Sequence, residues 1–200
     1  MIYFRAMNDD NTNWTPFADD NLLGLTDRNL INEYEAKGIT KAELYVFGLD
    51  TEIEISTTLI LEIHKTAFEE LYDWAGKWRN VNVIVGQLTP PQPSQIIHLM
   101  YQFIDNLKYK ISASKLQDEI IETLIYAHYG FIKIHPFNNG NGRTGRILMN
   151  LVAMTFGFKP LELYKREGES RKIYIQSMQQ ADKGNFELLG NLIRQELEAF

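Results

Sequence analysis

Apolar side chains recur at helical intervals over most of this chain, and the breaks between the runs are sharp. Residues 1–25 are polar, rich in Asn and Asp and broken by Pro16 and Gly24, which predicts an irregular lead-in before one domain over 26–200. From Thr26 to about Ala36 a short helix is expected, with Thr26 as N-cap and Gly38 just past its end. Thr51 and Glu54 have capping-box spacing. Ile60, Ile63, Ala67, Leu71 and Trp74 then follow at helical intervals, so an amphipathic helix should close at Gly76. Val81, Val83 and Val85 alternate before Gly86, Pro90, Pro91 and Pro93, the pattern of a short hairpin or extended flap over about 79–93.

Ser94 can cap a helix running to about Lys110 with Ile97, Tyr101 and Ile104 as its stripe. A further helix should start at Gln117-Asp118-Glu119, its acids at the positive end of the dipole, and reach about Ile134. Its apolar residues cover more than one face, and Ile147 to Met154 is apolar nearly all round. Two buried helices therefore flank residues 135–142. Ser170 can cap another helix reaching Asp182, Gly184 breaks it, and a last helix follows.

Composition narrows the function classes. With 200 residues and 44% apolar side chains the chain can bury a full core. It has no cysteine, which excludes thiolate metal sites and cysteine nucleophiles. Its N-terminus lacks a signal-peptide core, and no apolar run spans a bilayer, so a soluble cytoplasmic protein without membrane partners is expected. A net charge of −6 argues against nucleic-acid binding. The 26 acids are absent between Glu122 and Glu162, a gap of 39 residues that contains Lys133, Arg143, Arg146 and Lys159. A polyanion site requires such a stretch, and a buried segment produces one equally well.

Inside the gap runs His135-Pro136-Phe137-Asn138-Asn139-Gly140-Asn141-Gly142-Arg143-Thr144-Gly145-Arg146. Glycines at a helix N-terminus let backbone N–H groups converge on an anion, and two arginines a turn apart can hold successive phosphates. Pro136 disfavours helix at His135, which places that imidazole at the mouth of the cradle as a candidate base. His64 reads as a core histidine, and His128 has no acidic or cysteine partner for a metal pair. Trp74 and Trp78 read as core and flap-base packing; Lys65, Lys77 and Lys133 read as solvated charges.

This run resembles the signature of the Fic family, His-Pro-Phe-x-Asp/Glu-Gly-Asn-Gly-Arg-x-x-Arg, in every specified position but one, where Asn139 replaces the acid. The phrases Leu61-Glu62-Ile63-His64, Asp73-Trp74-Ala75-Gly76-Lys77-Trp78-Arg79, Arg171, Tyr174 and Ala181-Asp182-Lys183-Gly184 extend the resemblance over roughly residues 30–195. Within the family they look most like the group called mobile mystery protein B. The resemblance implies an all-α fold with a small β-hairpin flap over the active site, and a protein adenylyltransferase that moves AMP from ATP to a hydroxyl of a target protein bound along the flap. It makes His135 the general base and Phe137 the core anchor of the loop. Asn138, Gly140, Asn141, Gly142, Arg143 and Arg146 become the nucleotide and phosphate site.

At Asn139 the family acid binds Mg²⁺, so Asn139 becomes a weak metal ligand and activity is expected to be reduced. The alternatives are transfer of a phosphoryl or other phosphate-containing group on the same scaffold, and a catalytically weak nucleotide-binding module. Many relatives are inhibited by a helix carrying Ser/Thr-x-x-x-Glu-Gly/Asn. Here only Thr58 and Thr66 have Glu four residues on, and neither completes the pattern, so inhibition is expected from a separate antitoxin-like partner.

Overall fold

The computed structural model describes residues 3–6, 20–49, 53–86, 88–163 and 168–200, the first four as backbone. It is mainly helical, as expected. Strand β1 (Tyr3–Ala6) is followed by α1 (Arg28–Phe47), α2 (Thr57–Phe68), strand β2 (Asn82–Val85), α3 (Ile96–Ala113) and α4 (Gln117–Ile125). A π-helical turn (Tyr126–Gly130) joins α4 to α5 (Phe131–Ile134), and α6 (Asn141–Thr155), α7 (Glu169–Ala181) and α8 (Glu187–Glu196) complete the order. Among the described residues no helix is long and apolar enough to cross a membrane.

Helix α1 departs most from the sequence expectation. Its cap is Asp27, which accepts the Asn29 N–H at 2.8 Å, so the cap lies one residue beyond Thr26 and the helix starts at Arg28. It also runs through Gly38 to Phe47. Gly38 is there for close packing: a Cβ at that position would stand 2.1 Å from the Ala67 carbonyl oxygen of α2. A glycine that reads as a stop in one dimension is a helix-crossing point in three.

Helix α2 begins later than predicted. Ser56 Oγ accepts the Leu59 N–H at 3.1 Å, whereas Thr51 lies outside the described residues. The helix ends at Phe68, and Leu71 and Tyr72 bury from the turns that follow. In α3 the expected stripe holds only at Ile104: Ile97 and Tyr101 are exposed, and Ile96, Met100, Phe103 and Leu107 face inward with Ile104. Helix α4 starts where its acids predicted, and Glu119 Oε2 accepts the N–H groups of Lys115 and Leu116 at 2.7 and 2.9 Å. Helix α7 starts at Glu169 behind Gly168, not at a Ser170 cap.

The flap is narrower than a two-stranded hairpin. Val85 and Leu88 exchange backbone hydrogen bonds of 3.0 and 2.9 Å around Gly86, whose φ is +62°. The partner of β2 is β1 of the lead-in, paired in parallel from Tyr3↔Asn82 to Ala6↔Val85. The lead-in is also tied to the domain where Leu22 N–H donates to the Leu71 carbonyl at 2.8 Å. The polar composition of residues 1–25 hid both contacts, which are backbone bonds and leave no pattern in side chains.

The core runs through the centre. Phe68, Phe131, Phe137, Leu124, Leu148 and Val152 are all essentially inaccessible. The helix expected from Gln117 to about Ile134 is realised as α4, the π-helical turn and α5, and α6 starts already at Asn141, so the connecting loop is residues 135–140. A Cβ on Gly145 would lie 3.1 Å from Phe131.

Candidate active site

At His135 the chain leaves α5 with φ +51°, the one non-glycine residue with positive φ among those described. That left-handed turn, which closes α5 just before Pro136, aims the next five residues back across the top of α2. Phe137 then drops into the core. Its ring stacks on His64 at 3.6 Å and on Trp78 at 5.0 Å.

The loop is fixed from below by the side chains of Asn141 and His64. Asn141, 2% exposed, accepts the Phe137 N–H and donates to the Phe137 carbonyl, both at 2.9 Å. Its amide is therefore a loop clamp, and only its backbone N–H can serve the phosphate role the resemblance implied. His64 Nδ1 accepts the Gly76 N–H at 2.9 Å, which leaves Nε2–H to donate to the Asn139 carbonyl at 3.1 Å. Sequence reasoning placed His64 in the core, and its bonds make it a strut under the loop. Gly140, at φ +75°, passes so close that a Cβ would lie 2.4 Å from the Phe68 ring.

Arg79 clips the loop to the flap. Only 2% exposed, it donates to the carbonyls of His135 at 2.7 Å, Val81 at 2.8 Å and Pro91 at 2.5 Å, while its own N–H donates to the Pro136 carbonyl at 2.8 Å. Burial lowers its pKa to about 10. Three converging carbonyls anchor the guanidinium and give both ends of the flap and the candidate base one common support. A single arginine at the end of a sequence phrase carries no sign of this.

The upper side of the loop faces the ligand region. Helix α6 begins at Asn141, and its first backbone bond runs from Thr144 N–H to the Gly140 carbonyl at 2.9 Å. The N–H groups of Asn141, Gly142 and Arg143 precede that bond and so project from the helix end. Around Gly142 a Cβ would meet nothing nearer than Arg146 Nη1 at 3.6 Å, so packing does not explain that glycine. Asn138 is exposed at the tip. Arg143 and Arg146 line one cleft of about 240 Å³, together with Ile39, Glu43, Asn150 and Glu162. The expected shared face is present.

Asn139 behaves differently from the metal ligand considered above. Its Oδ1 accepts the Gly140 N–H at 2.6 Å and faces Arg143 Nη2 at 3.5 Å, so the oxygen is directed into the loop and toward positive charge. No cluster of three or more His, Cys, Asp or Glu able to hold a metal occurs among the described residues. Asn139 thus presents no carboxylate and its amide oxygen is engaged, so the loop lacks the charged hard oxygen that Mg²⁺ prefers beside substrate phosphates.

The acid-free stretch gains its carboxylates from elsewhere in the fold. Glu35 of α1, 2% exposed, accepts from Arg143 Nη1 at 2.6 Å. Glu43, also on α1, stands on the cleft, where burial raises its pKa against the opposing pull of Arg146. A Ser/Thr-led motif does not reveal Glu43, because Ile39 stands four residues before it, and its nearness to Arg146 comes from the packing of α1 against α6.

Burial, with the positive charge of Arg79 as a second cause, lowers the pKa of His135 to about 4. Burial likewise lowers His64 and His128 to about 3, and His128 Nε2 lies 2.7 Å from the Tyr174 hydroxyl. Unfolded, each histidine takes its proton near pH 6.5, and folded it does so only near 3 or 4. Between those values the unfolded chain binds more protons, so stability is full above pH 6.5 and declines as pH falls. The slope is about 1.4 kcal/mol per pH unit for each histidine. Urea melts at pH 7, 6 and 5 should show a steadily falling midpoint; an unchanged midpoint would mean these rings are solvated.

The Fic/DOC family model matches residues 54–153. Protein adenylyltransferase fic-1 of Caenorhabditis briggsae is 36% identical over 133 residues, 66% of this chain and 25% of that protein. Protein adenylyltransferase Fic of Nematostella vectensis is 30% identical over 169 residues, 82% of this chain and 38% of that protein. Among solved structures, Fic-1 (residues 134–508) from C. elegans matches with a TM-score of 0.70 at 27% identity, covering 88% of this chain and 51% of that one. This chain thus spans about a quarter to two-fifths of the length of the curated relatives. The family match covers half of the 200 residues and includes the whole loop from His135 to Arg146, and the chain belongs to the Fic/DOC family.

Proposed function

We propose that this chain transfers AMP from ATP to a hydroxyl side chain of a target protein held along the flap. The observation that carries this reading is the placement of a neutral His135, the N-terminus of α6 and the cleft of Arg143 and Arg146 along one loop and the helix that it opens. The relatives named as protein adenylyltransferases support it. With Nδ1 of His135 enclosed, Nε2 is the nitrogen left to meet the incoming hydroxyl. It takes the hydroxyl proton as that oxygen bonds to the α-phosphorus, and the bond to the bridging β-oxygen breaks to release pyrophosphate. The N–H groups of Asn141, Gly142 and Arg143 and the Arg143 guanidinium take up negative charge on the phosphates, and Arg146 meets the terminal one.

Incubation with α-labelled and γ-labelled ATP and a protein target tests this directly. Label from the α position alone supports AMP transfer, and label from the γ position alone indicates phosphoryl transfer. Nucleotide binding without label indicates a catalytically weak binding module, the reading favoured if the inward-turned Asn139 leaves phosphate charge unscreened. An antitoxin-like partner remains part of the proposal, although the Arg146 cleft already holds Glu43 from within the chain.

Asn139→Asp is the informative variant. Its Oδ1 can keep the Gly140 bond, while the second carboxylate oxygen replaces Nδ2, which is buried without a hydrogen-bond partner. Transfer should rise about tenfold and become Mg²⁺-dependent, since a charged hard oxygen binds the ion more tightly than an amide. Equal turnover and equal metal dependence in the two proteins would show that the missing charge does not matter.

A further inference from the structure

Glu35 lies on α1, outside the stretch matched by the family model, yet its carboxylate reaches the candidate site. Oε2 accepts from Arg143 Nη1 at 2.6 Å and Oε1 accepts the Tyr72 hydroxyl at 2.9 Å, with Glu35 2% exposed. The Arg143 guanidinium also lies 4.6 Å over the Phe68 ring. One end and one face of the guanidinium are thereby held by α1 and α2. The carboxylate sits on the protein side, whereas the arginine side chain is 21% exposed and lines the cleft, so a phosphate would approach from the opposite side.

An unrestrained arginine loses rotamer freedom on binding, and one already held in place loses less, which strengthens binding without any new contact. We propose that Glu35, itself fixed by Tyr72, is a positioning residue that presets the plane of the Arg143 guanidinium for a nucleotide phosphate. This extends the nucleotide-transfer reading and rests on it for the identity of the ligand. The opposite role, in which Glu35 competes with phosphate for Arg143, predicts tighter nucleotide binding once the charge is removed.

Two measurements separate these roles. In the nucleotide-free protein, side-chain NMR of arginine should show slow rotation of the Arg143 guanidinium, faster in Glu35→Gln and intermediate in Tyr72→Phe. A guanidinium that already rotates freely in the native protein, or one unchanged by Glu35→Gln, overturns the proposal. In calorimetry with ATP, Glu35→Gln should raise Kd about tenfold, on the scale of one charge-assisted hydrogen bond. In transfer assays KM should rise with kcat held within about twofold, because only preorganisation for binding is lost. Adding Glu35→Gln to Arg143→Ala should cost no further affinity. Equal or tighter binding by Glu35→Gln, or additive losses in the double variant, also overturns it. Should Glu35→Gln fold poorly, Tyr72→Phe carries the same test, with about a threefold rise in Kd. A native protein that binds no ATP removes the nucleotide reading alone, since the NMR result still decides whether Glu35 holds Arg143.

Discussion

His135→Ala is expected to lower AMP transfer by about 10²- to 10⁴-fold, the usual contribution of a positioned general base. ATP affinity should stay within about twofold, because the imidazole acts on the attacking hydroxyl and not on the phosphates. The fold should persist as well. The structural bonds at this position use the His135 backbone, whose carbonyl accepts from Arg79 and whose N–H donates to the Phe131 carbonyl at 3.0 Å. One cost remains, since alanine at φ +51° keeps the backbone strain. Because the folded pKa lies near 4, the native transfer rate should be level from pH 8 to about 5.5 and fall only below that. Undiminished turnover in His135→Ala would remove this histidine as the base, and a rate that halves near pH 6.5 would mean that its ring is solvated and not buried.

Arg143→Ala should raise the Kd for ATP about a hundredfold, the scale of losing two charge-assisted bonds to phosphate. It should also destabilise the protein by roughly 3 kcal/mol, because Glu35 would be left buried without its cation. Those two losses have different causes and can be separated. Introducing Glu35→Gln into Arg143→Ala should recover most of the melting temperature, since an uncharged amide costs less to bury, and none of the affinity. Calorimetry that finds unchanged ATP binding in Arg143→Ala would place the phosphates elsewhere. A melting temperature that fails to recover in the double variant would mean that the buried carboxylate is not the source of the instability.

Much of this site is legible in one dimension because its chemistry is local. The run from His135 to Arg146 carries the helix end before Pro136, the glycines of the next helix start and both arginines, all within a dozen residues whose spacing sets their geometry. The buried helices around it announce themselves by being apolar on every face, and the acid-free gap follows from the same burial. What the sequence by itself determined is therefore the loop, its two flanking helices and the family to which they belong.

The tertiary structure alone decided what the loop leans on. Glu35 reaches Arg143 across 108 residues, His64 reaches Asn139 across 75 and Arg79 reaches His135 across 56. None of the three obeys a helical or strand period, so no pattern reveals them. The same holds for Gly38, which punctuates the sequence but packs α1 onto Ala67, and for β1, whose pairing with β2 involves backbone groups that every residue possesses. Periodicity records which side of an element is dry, and it is silent about which distant element provides the covering surface. The acid-free gap shows the difference most clearly: the chain keeps carboxylates out of residues 123–161, and folding brings Glu35 back to the arginine at their centre.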